Sequence, residues 1–337
     1  MKKNIDNLLF EVKKYIPLIC FAVACAIPLN AQTDPQIGQY MFLKTTYNPA
    51  AAGEGDLMRI AGMHRMQFTG MSDLPMTTYF TVAVPFPIAK TKHAAGVRFL
   101  NDMYGLFSNQ SFHVQYAYRH QLGKGYIAAG IDIGFANISF DAKKVNIDSI
   151  AQANDGGYHK GTSEDEAIPT SSGSSGVNGM GFDLGVGLYY SAPTWWASVS
   201  YSHLTQPKIH WSDQTYMTMH GTLYVAGGYN WRLHNPKWVL KPSLMMMTDF
   251  TFWDINLNLL AEVKNRYRFG AGYRIAGSVN FLLCMDIING LQLGYTYELP
   301  ANRLIRATYG SHELFLAYAF SIVKPKRTNK YKSVRYL

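Results

Sequence analysis

From Leu57 onward the chain is a succession of short segments in which apolar and polar side chains alternate at a period of two, with turn residues between them. In Phe182–Tyr190 the even positions hold Phe182, Leu184, Val186, Leu188 and Tyr190, and the odd positions hold Asp183, Gly185, Gly187 and Tyr189. Successive side chains of a strand point to opposite faces, so such a segment carries one apolar face and one that tolerates charge. The pattern recurs in Phe112–Arg119, in Ile127–Ile138 with Asp132 inward, in Trp253–Leu259 and in Leu291–Glu298. It ends in Gly310–Phe320, where His312, Leu314, Leu316, Tyr318 and Phe320 share one face and Glu313, Phe315, Ala317 and Ala319 the other. A soluble sheet would continue with a turn and another strand. Here the strand stops at an aromatic and gives way to a polar, basic tail, as the last strand of an outer-membrane barrel does.

Candidate strands lie near 57–68, 76–86, 93–102, 109–120, 125–138, 179–190, 194–204, 220–232, 237–249, 252–263, 266–274, 278–288, 290–298 and 309–320. The fold class is therefore all-β: an antiparallel transmembrane β-barrel of about 14 strands (range about 12–16), within the ~8 to 26 of single-chain outer-membrane barrels. Each segment supplies roughly the 9–11 residues that a tilted strand needs to cross the hydrocarbon layer. Turn lengths give a second test, because these barrels have short periplasmic turns and longer outer loops. The connections at Gln121–Lys124, Ser191–Pro193, His234–Pro236, Asn265 and Asn289 are brief, whereas Phe140–Asn178, Thr205–Met219 and Leu299–Thr308 are long, which places both termini in the periplasm. Aromatic residues beside three of the short turns (Tyr118 and Tyr126; Tyr190, Trp195 and Trp196; Trp231 and Trp238) read as a periplasmic girdle. Pro242 lies inside a predicted strand and removes a ladder hydrogen bond, and segments 57–68 and 278–288 alternate poorly.

The N-terminus sets Lys2, Lys3, Lys13 and Lys14 ahead of the apolar run Tyr15–Leu29, followed by Asn30-Ala31-Gln32, the pattern of a secretory signal peptide spanning 1–31. Cys25 lacks the leucine three residues ahead that a lipoprotein box uses. Residues 32–56, polar and turn-rich, are expected as an ordered or plugging periplasmic lead-in, residues 57–323 as the barrel, and 324–337 as a basic periplasmic tail. The formal charge of +9 is concentrated at the two ends. With two positive charges assigned to the signal and six to the tail, the body is nearly neutral, which argues against nucleic acid as a partner. Cys284 alone survives processing, so no internal disulfide and no cysteine-based zinc site is expected.

The chain has no G-x-S-x-G elbow, phosphate loop or H-E-x-x-H. Ser202 and His203 adjoin, but neighbouring strand residues point to opposite faces. Asp132, Asp183, Asn256, Asn258, Glu262, Arg274 and Glu313 call for a wet or internally paired lumen, since in hydrocarbon they would be costly. No catalytic residue, cofactor or metal is expected. The loop Phe140–Asn178 reads as a solvated surface loop and a candidate contact for another protein.

Several stretches resemble the PorP/SprF family of the type IX secretion system: Asp34-Pro35, Gln39-Tyr40-Met41, Tyr47-Asn48-Pro49-Ala50 with Gly53, then Arg65 and Gln67-Phe68 with Gly70, Pro75 and Thr77, and finally Gly310–Leu314 with His312 and Glu313. Phe68 stands where the family usually shows Trp, and Glu298 where an Asp is frequent. The resemblance implies an outer-membrane barrel that works with the periplasmic ring of that secretion machine and is linked to gliding motility and to secretion or surface attachment of large cargo proteins. It singles out Gln39, Asn48, Pro49, Gly53, Arg65, Pro75, His312 and Glu313 as structural or partner-binding positions. Phe320 is expected to close the barrel, and Lys326, Arg327, Tyr331 and Arg335 of the tail to offer a docking peptide. The runner-up reading is a passive porin or hydrophobic-solute channel. A barrel-embedded hydrolase would need a His, Asp or Ser cluster at the outer rim, which the sequence does not provide.

Overall fold

The computed structural model describes residues 34–89, 91–141, 177–211, 215–235 and 237–321. Seventeen strands follow the chain: β1 (Met58–Met66), β2 (Met76–Ile88), β3 (Thr91–Tyr104), β4 (Phe107–Leu122), β5 (Gly125–Phe140), β6 (Val177–Ser191), β7 (Trp195–Ser202), β8 (Lys208–His210), β9 (Tyr216–Thr218), β10 (Thr222–Tyr229), β11 (Trp231–Arg232), β12 (Trp238–Thr248), β13 (Trp253–Val263), β14 (Tyr267–Arg274), β15 (Ser278–Ile288), β16 (Leu291–Pro300) and β17 (Ser311–Phe320). Apart from the β8–β9 hairpin and the two-residue β11, fourteen of them form one closed antiparallel barrel. Closure comes from β1 on β17, in register from Met58↔Phe320 to Met66↔His312, so the first and last strands leave no open edge for lipid to meet.

Alternation decides which face meets lipid. On β4, Phe112, Val114 and Tyr116 are exposed outward, while Ser111, His113 and Gln115 are buried inward. The seven polar residues expected to line the lumen, from Asp132 to Glu313, are all buried. Tyr118, Tyr190, Trp195, Trp231 and Trp238 face outward near the short turns as a girdle would. Tyr126 and Trp196 differ. Ile127 and Trp195 take the outward positions of their strands, so the alternation sends these two inward, where Lys92 lies over the Tyr126 ring and Lys44 over Trp196 at 4.2 Å. Pro242 is accommodated where the ladder breaks: β12 pairs with β10 as far as Ser243 and resumes with β11 at Leu240, and the gap falls opposite Lys241 and Pro242.

The connections 123–124, 192–194, 264–266 and 289–290, with the end of β2 and the start of β3, lie at one end of the barrel, here termed the short-turn end. The opposite, long-loop end carries 67–75, 203–211, 215–221 and 301–310, together with the end of β5 and the start of β6, but also the brief 105–106, 249–252 and 275–277. β1 starts and β17 stops at the short-turn end. Residues 34–56, however, do not approach β1 from outside that end. Asp34 lies beside His203 and Tyr224 at the long-loop end, and Gly53 reaches Arg119 at the short-turn end. The segment thus threads the lumen along its axis before β1 begins. It does so because Ile37, Tyr40, Leu43, Tyr47 and Ala50–Ala52 are apolar enough to need cover, and the inner wall supplies it.

Candidate functional site

The lumen and the segment that fills it carry nearly all the buried polar chemistry of the molecule. Short 3-10 turns at Lys44–Thr46, Pro49–Ala51 and Glu54–Asp56 shape residues 34–56 into a compact plug. Asn48 caps the middle turn, accepting the Ala50 N–H at 2.9 Å, and donates to the Leu188 carbonyl at 2.9 Å and the Ser198 hydroxyl at 2.7 Å. Pro49 opens that turn with its φ already set. The wall is hollowed to receive it. A Cβ on Gly130 would lie 2.4 Å from the Ala50 nitrogen, and one on Gly187 only 2.0 Å from Asn48 Oδ1. Gly53, at φ 78°, turns the chain in the left-handed region and presents its carbonyl to Arg119.

Two ionic networks tie the plug to the wall. In the first, the Glu313 carboxylate accepts the Gly38 N–H at 2.8 Å and the Gln39 N–H at 2.9 Å, and it faces Arg65 at 3.3 Å. Arg65 also pairs with Glu298 at 2.6 Å, Glu298 with Arg274 at 2.8 Å, and Arg274 donates back to the Gln36 side chain at 2.7 Å. Three members of the resemblance set, Gln39, Arg65 and Glu313, therefore meet at one place. Gln39 takes part through its backbone N–H; its side-chain amide is pressed against Gly294 and finds no hydrogen-bond partner.

In the second network Asp34 is held by His203 at 2.9 Å and by the Tyr224 hydroxyl. His203 reaches Asp183 at 2.7 Å, and His113 lies between Asp183 (3.4 Å) and Asp132 (3.6 Å). Asp132 pairs with Arg98 at 3.1 Å, which donates to the Thr46 carbonyl at 2.6 Å. This polar network leaves the plug at Asp34 and rejoins it at Thr46, with an Arg98 N–H directed at His113 Nδ1. His203 joins in because β7 ends at Ser202 and the backbone turns through φ 56° at His203, swinging the imidazole inward where strict alternation would have sent it out. Burial works against charge on this imidazole, but the Asp34 and Asp183 carboxylates outweigh it and hold its pKa up to about 10. Burial likewise opposes ionisation of Asp34, and His203 and Tyr224 more than offset it, holding that carboxyl down to about 2.

Near the short turns, Lys44 pairs with Glu54 at 2.8 Å and Arg119 with Asp56 at 2.7 Å. Two cavities flank the plug, one of about 270 Å³ toward the long loops and one of about 490 Å³ toward the short turns, with no lining residue in common. Other sequence candidates lie apart from the networks. Pro75 accepts the Gln67 N–H in the β1–β2 loop, and His312 faces outward, 2.7 Å from the Tyr295 hydroxyl. Phe320 pairs with Met58 at the end of the closing strand and stacks on Tyr318. The signal 1–31, most of Phe140–Asn178, and Lys326, Arg327, Tyr331 and Arg335 lie outside the described residues. Among the described residues, no group of three or more His, Cys, Asp or Glu side chains is placed to hold a metal ion.

The model of a family described as type IX secretion system membrane protein PorP/SprF matches residues 29–318, from ahead of the plug to the closing strand. The chain belongs to the PorP/SprF family. As a PorP/SprF barrel it is an outer-membrane component of a type IX secretion system. Among solved structures it is similar to the toluene transporter TbuX of Ralstonia pickettii (13% identity, TM-score 0.46, 81% of this chain and 92% of that one covered). It is also similar to the monoaromatic hydrocarbon channel CymD (11%, 0.48, 86% and 94%) and to Omp33 of Acinetobacter baumannii (8%, 0.44, 79% and 97%). No curated protein matches the sequence.

Proposed function

We propose that this PorP/SprF barrel is a plugged, non-enzymatic anchor of the type IX apparatus, which binds the periplasmic ring proteins and supports secretion or surface attachment of a large cargo protein, with gliding motility as its outlet. The observation that carries this reading is the plug: a lumen occupied along its axis and tied by two buried ionic networks suits a scaffold better than a passive channel. The ring would meet the short-turn end, which outer-membrane barrels turn toward the periplasm. The basic tail, which follows β17 in sequence and holds Lys326, Arg327, Tyr331 and Arg335, would supply charge to steer the encounter and aromatics to hold it. The cargo would meet the long loops.

Crosslinking and affinity purification of the tagged barrel from native membranes tests this. Ring proteins and a large surface protein should co-purify, and deleting residues 324–337 should release the ring while leaving a heat-modifiable barrel. Purified barrel that conducts ions steadily in planar bilayers and recovers no secretion component would instead favour the porin reading.

A further inference from the structure

At the long-loop end the β2, β3 and β4 ladders bring Thr77, Asp102 and Asn109 into one inward-facing row, Thr77↔Asp102 and Asp102↔Asn109 being direct register partners. All three line the 270 Å³ cavity above the plug. Asp102 is 8% exposed and accepts one hydrogen bond, from the Thr77 hydroxyl at 2.6 Å. Among the described residues no Lys, Arg or His pairs with it: His203 is taken by Asp34 and Asp183, and Arg65 by Glu298 and Glu313. Asn109 is 7% exposed, and its Oδ1 has no donor. The row therefore presents a buried carboxylate without a cation beside a buried amide oxygen without a donor. Each is costly when left alone.

Both groups are acceptors, so what completes them is a donor, and the carboxylate, which has no cation beside it, asks that it be positively charged. Tyr104 and Phe68 add aromatic rings to the same lining, and a ring face attracts a cation. An anion would meet Asp34 and Asp102 together, and a neutral apolar solute would leave the row unsatisfied. A planar guanidinium, whose fork can donate to a carboxylate and an adjacent oxygen at once, matches the pair most closely. We propose that this cavity is a binding site for a guanidinium group, as presented by an arginine side chain of a peptide reaching the barrel from the long-loop side. The site is separate from the periplasmic contacts proposed above and stands or falls without them.

Isothermal titration of the full detergent-solubilised barrel tests it, with N-acetyl-arginine amide, ethylguanidinium and the neutral isostere N-acetyl-citrulline amide as probes. The two guanidinium probes should bind, and the citrulline probe should not. Tighter binding of the arginine amide than of ethylguanidinium identifies a peptide side chain as the ligand, and equal binding identifies the guanidinium alone. Asp102→Asn, nearly isosteric, should weaken binding at least tenfold, and Asp286→Asn, which removes a carboxylate lining the 490 Å³ cavity at the short-turn end, should leave it unchanged. Asn109→Leu supplies an independent loss of affinity should Asp102→Asn fail to give a heat-modifiable barrel. Absence of binding by both guanidinium probes, equal binding by the citrulline probe, or an undiminished affinity in the folded Asp102 or Asn109 variant would overturn the proposal.

Discussion

Glu313 illustrates how one side chain carries several duties. Its two oxygens take two plug N–H groups and half the charge of Arg65 in a place closed to water. A buried pair of this kind adds little net stability, because desolvation offsets the attraction, yet removing one partner leaves the other uncompensated at about 3–5 kcal/mol. Glu313→Ala should therefore lower the urea midpoint of the refolded barrel and expose residues 34–56 to proteinase K; a variant as resistant as the parent would sink the assignment. The Asp34–His203 pair makes the plug's upper attachment pH-dependent. The folded pKa of His203 is raised, so its contribution is complete below about 6.5 and fades as pH climbs toward about 10. That of Asp34 is depressed, so its contribution is complete above about 4 and fades toward about 2. Proteolysis of the plug should be slowest between about pH 4 and 6.5 and faster on either side, and His203→Gln should flatten the alkaline limb. A pH-independent rate would refute the latch. Gln39, Arg65 and Glu313 could be singled out beforehand because the family motif marks them. The Asp34–His203 contact could not, since its partners are 169 residues apart and no local pattern joins them.

At the scale of elements, the barrel strands that alternate cleanly were legible because lipid on one side and a packed polar lumen on the other force a period of two that few other structures impose. The β8–β9 hairpin escaped notice because three-residue strands are too short to show a period. For residues 34–56 the reading left open an ordered or a plugging lead-in, because 3-10 turns carry no repeat that tells a segment folded inside a lumen from one lying outside it. The fit of plug to wall rests on absent side chains, and restoring one should unseat it. Gly187→Leu would drive atoms into Asn48, so the plug should leave its seat and the barrel should conduct ions in planar bilayers where the parent does not. A silent variant that still folds would show that the plug does not depend on that seat. Phe320→Asp tests closure, since Phe320 ends the β1–β17 register opposite Met58. The amount of heat-modifiable barrel in outer membranes should fall several-fold, and normal levels would mean that closure does not depend on that terminal pair.

For the whole molecule, sidedness follows from which end carries the long loops. Tyr309→Cys, at a site 78% exposed in the β16–β17 loop, should react with an impermeant maleimide on intact cells, and Asn265→Cys in a short turn should react only after lysis. The reverse pattern would invert the barrel. Cys284 is buried and adds no background. The axial course of residues 34–56 has a further consequence for biogenesis. Because this segment precedes β1 in the chain yet finishes encircled by the fourteen strands of the barrel, a completed cylinder could be furnished with it afterwards only by threading a free end along the whole bore. A wall wound around a core already in position avoids that passage, and on that route insertion into the membrane and sealing of the pore are one event.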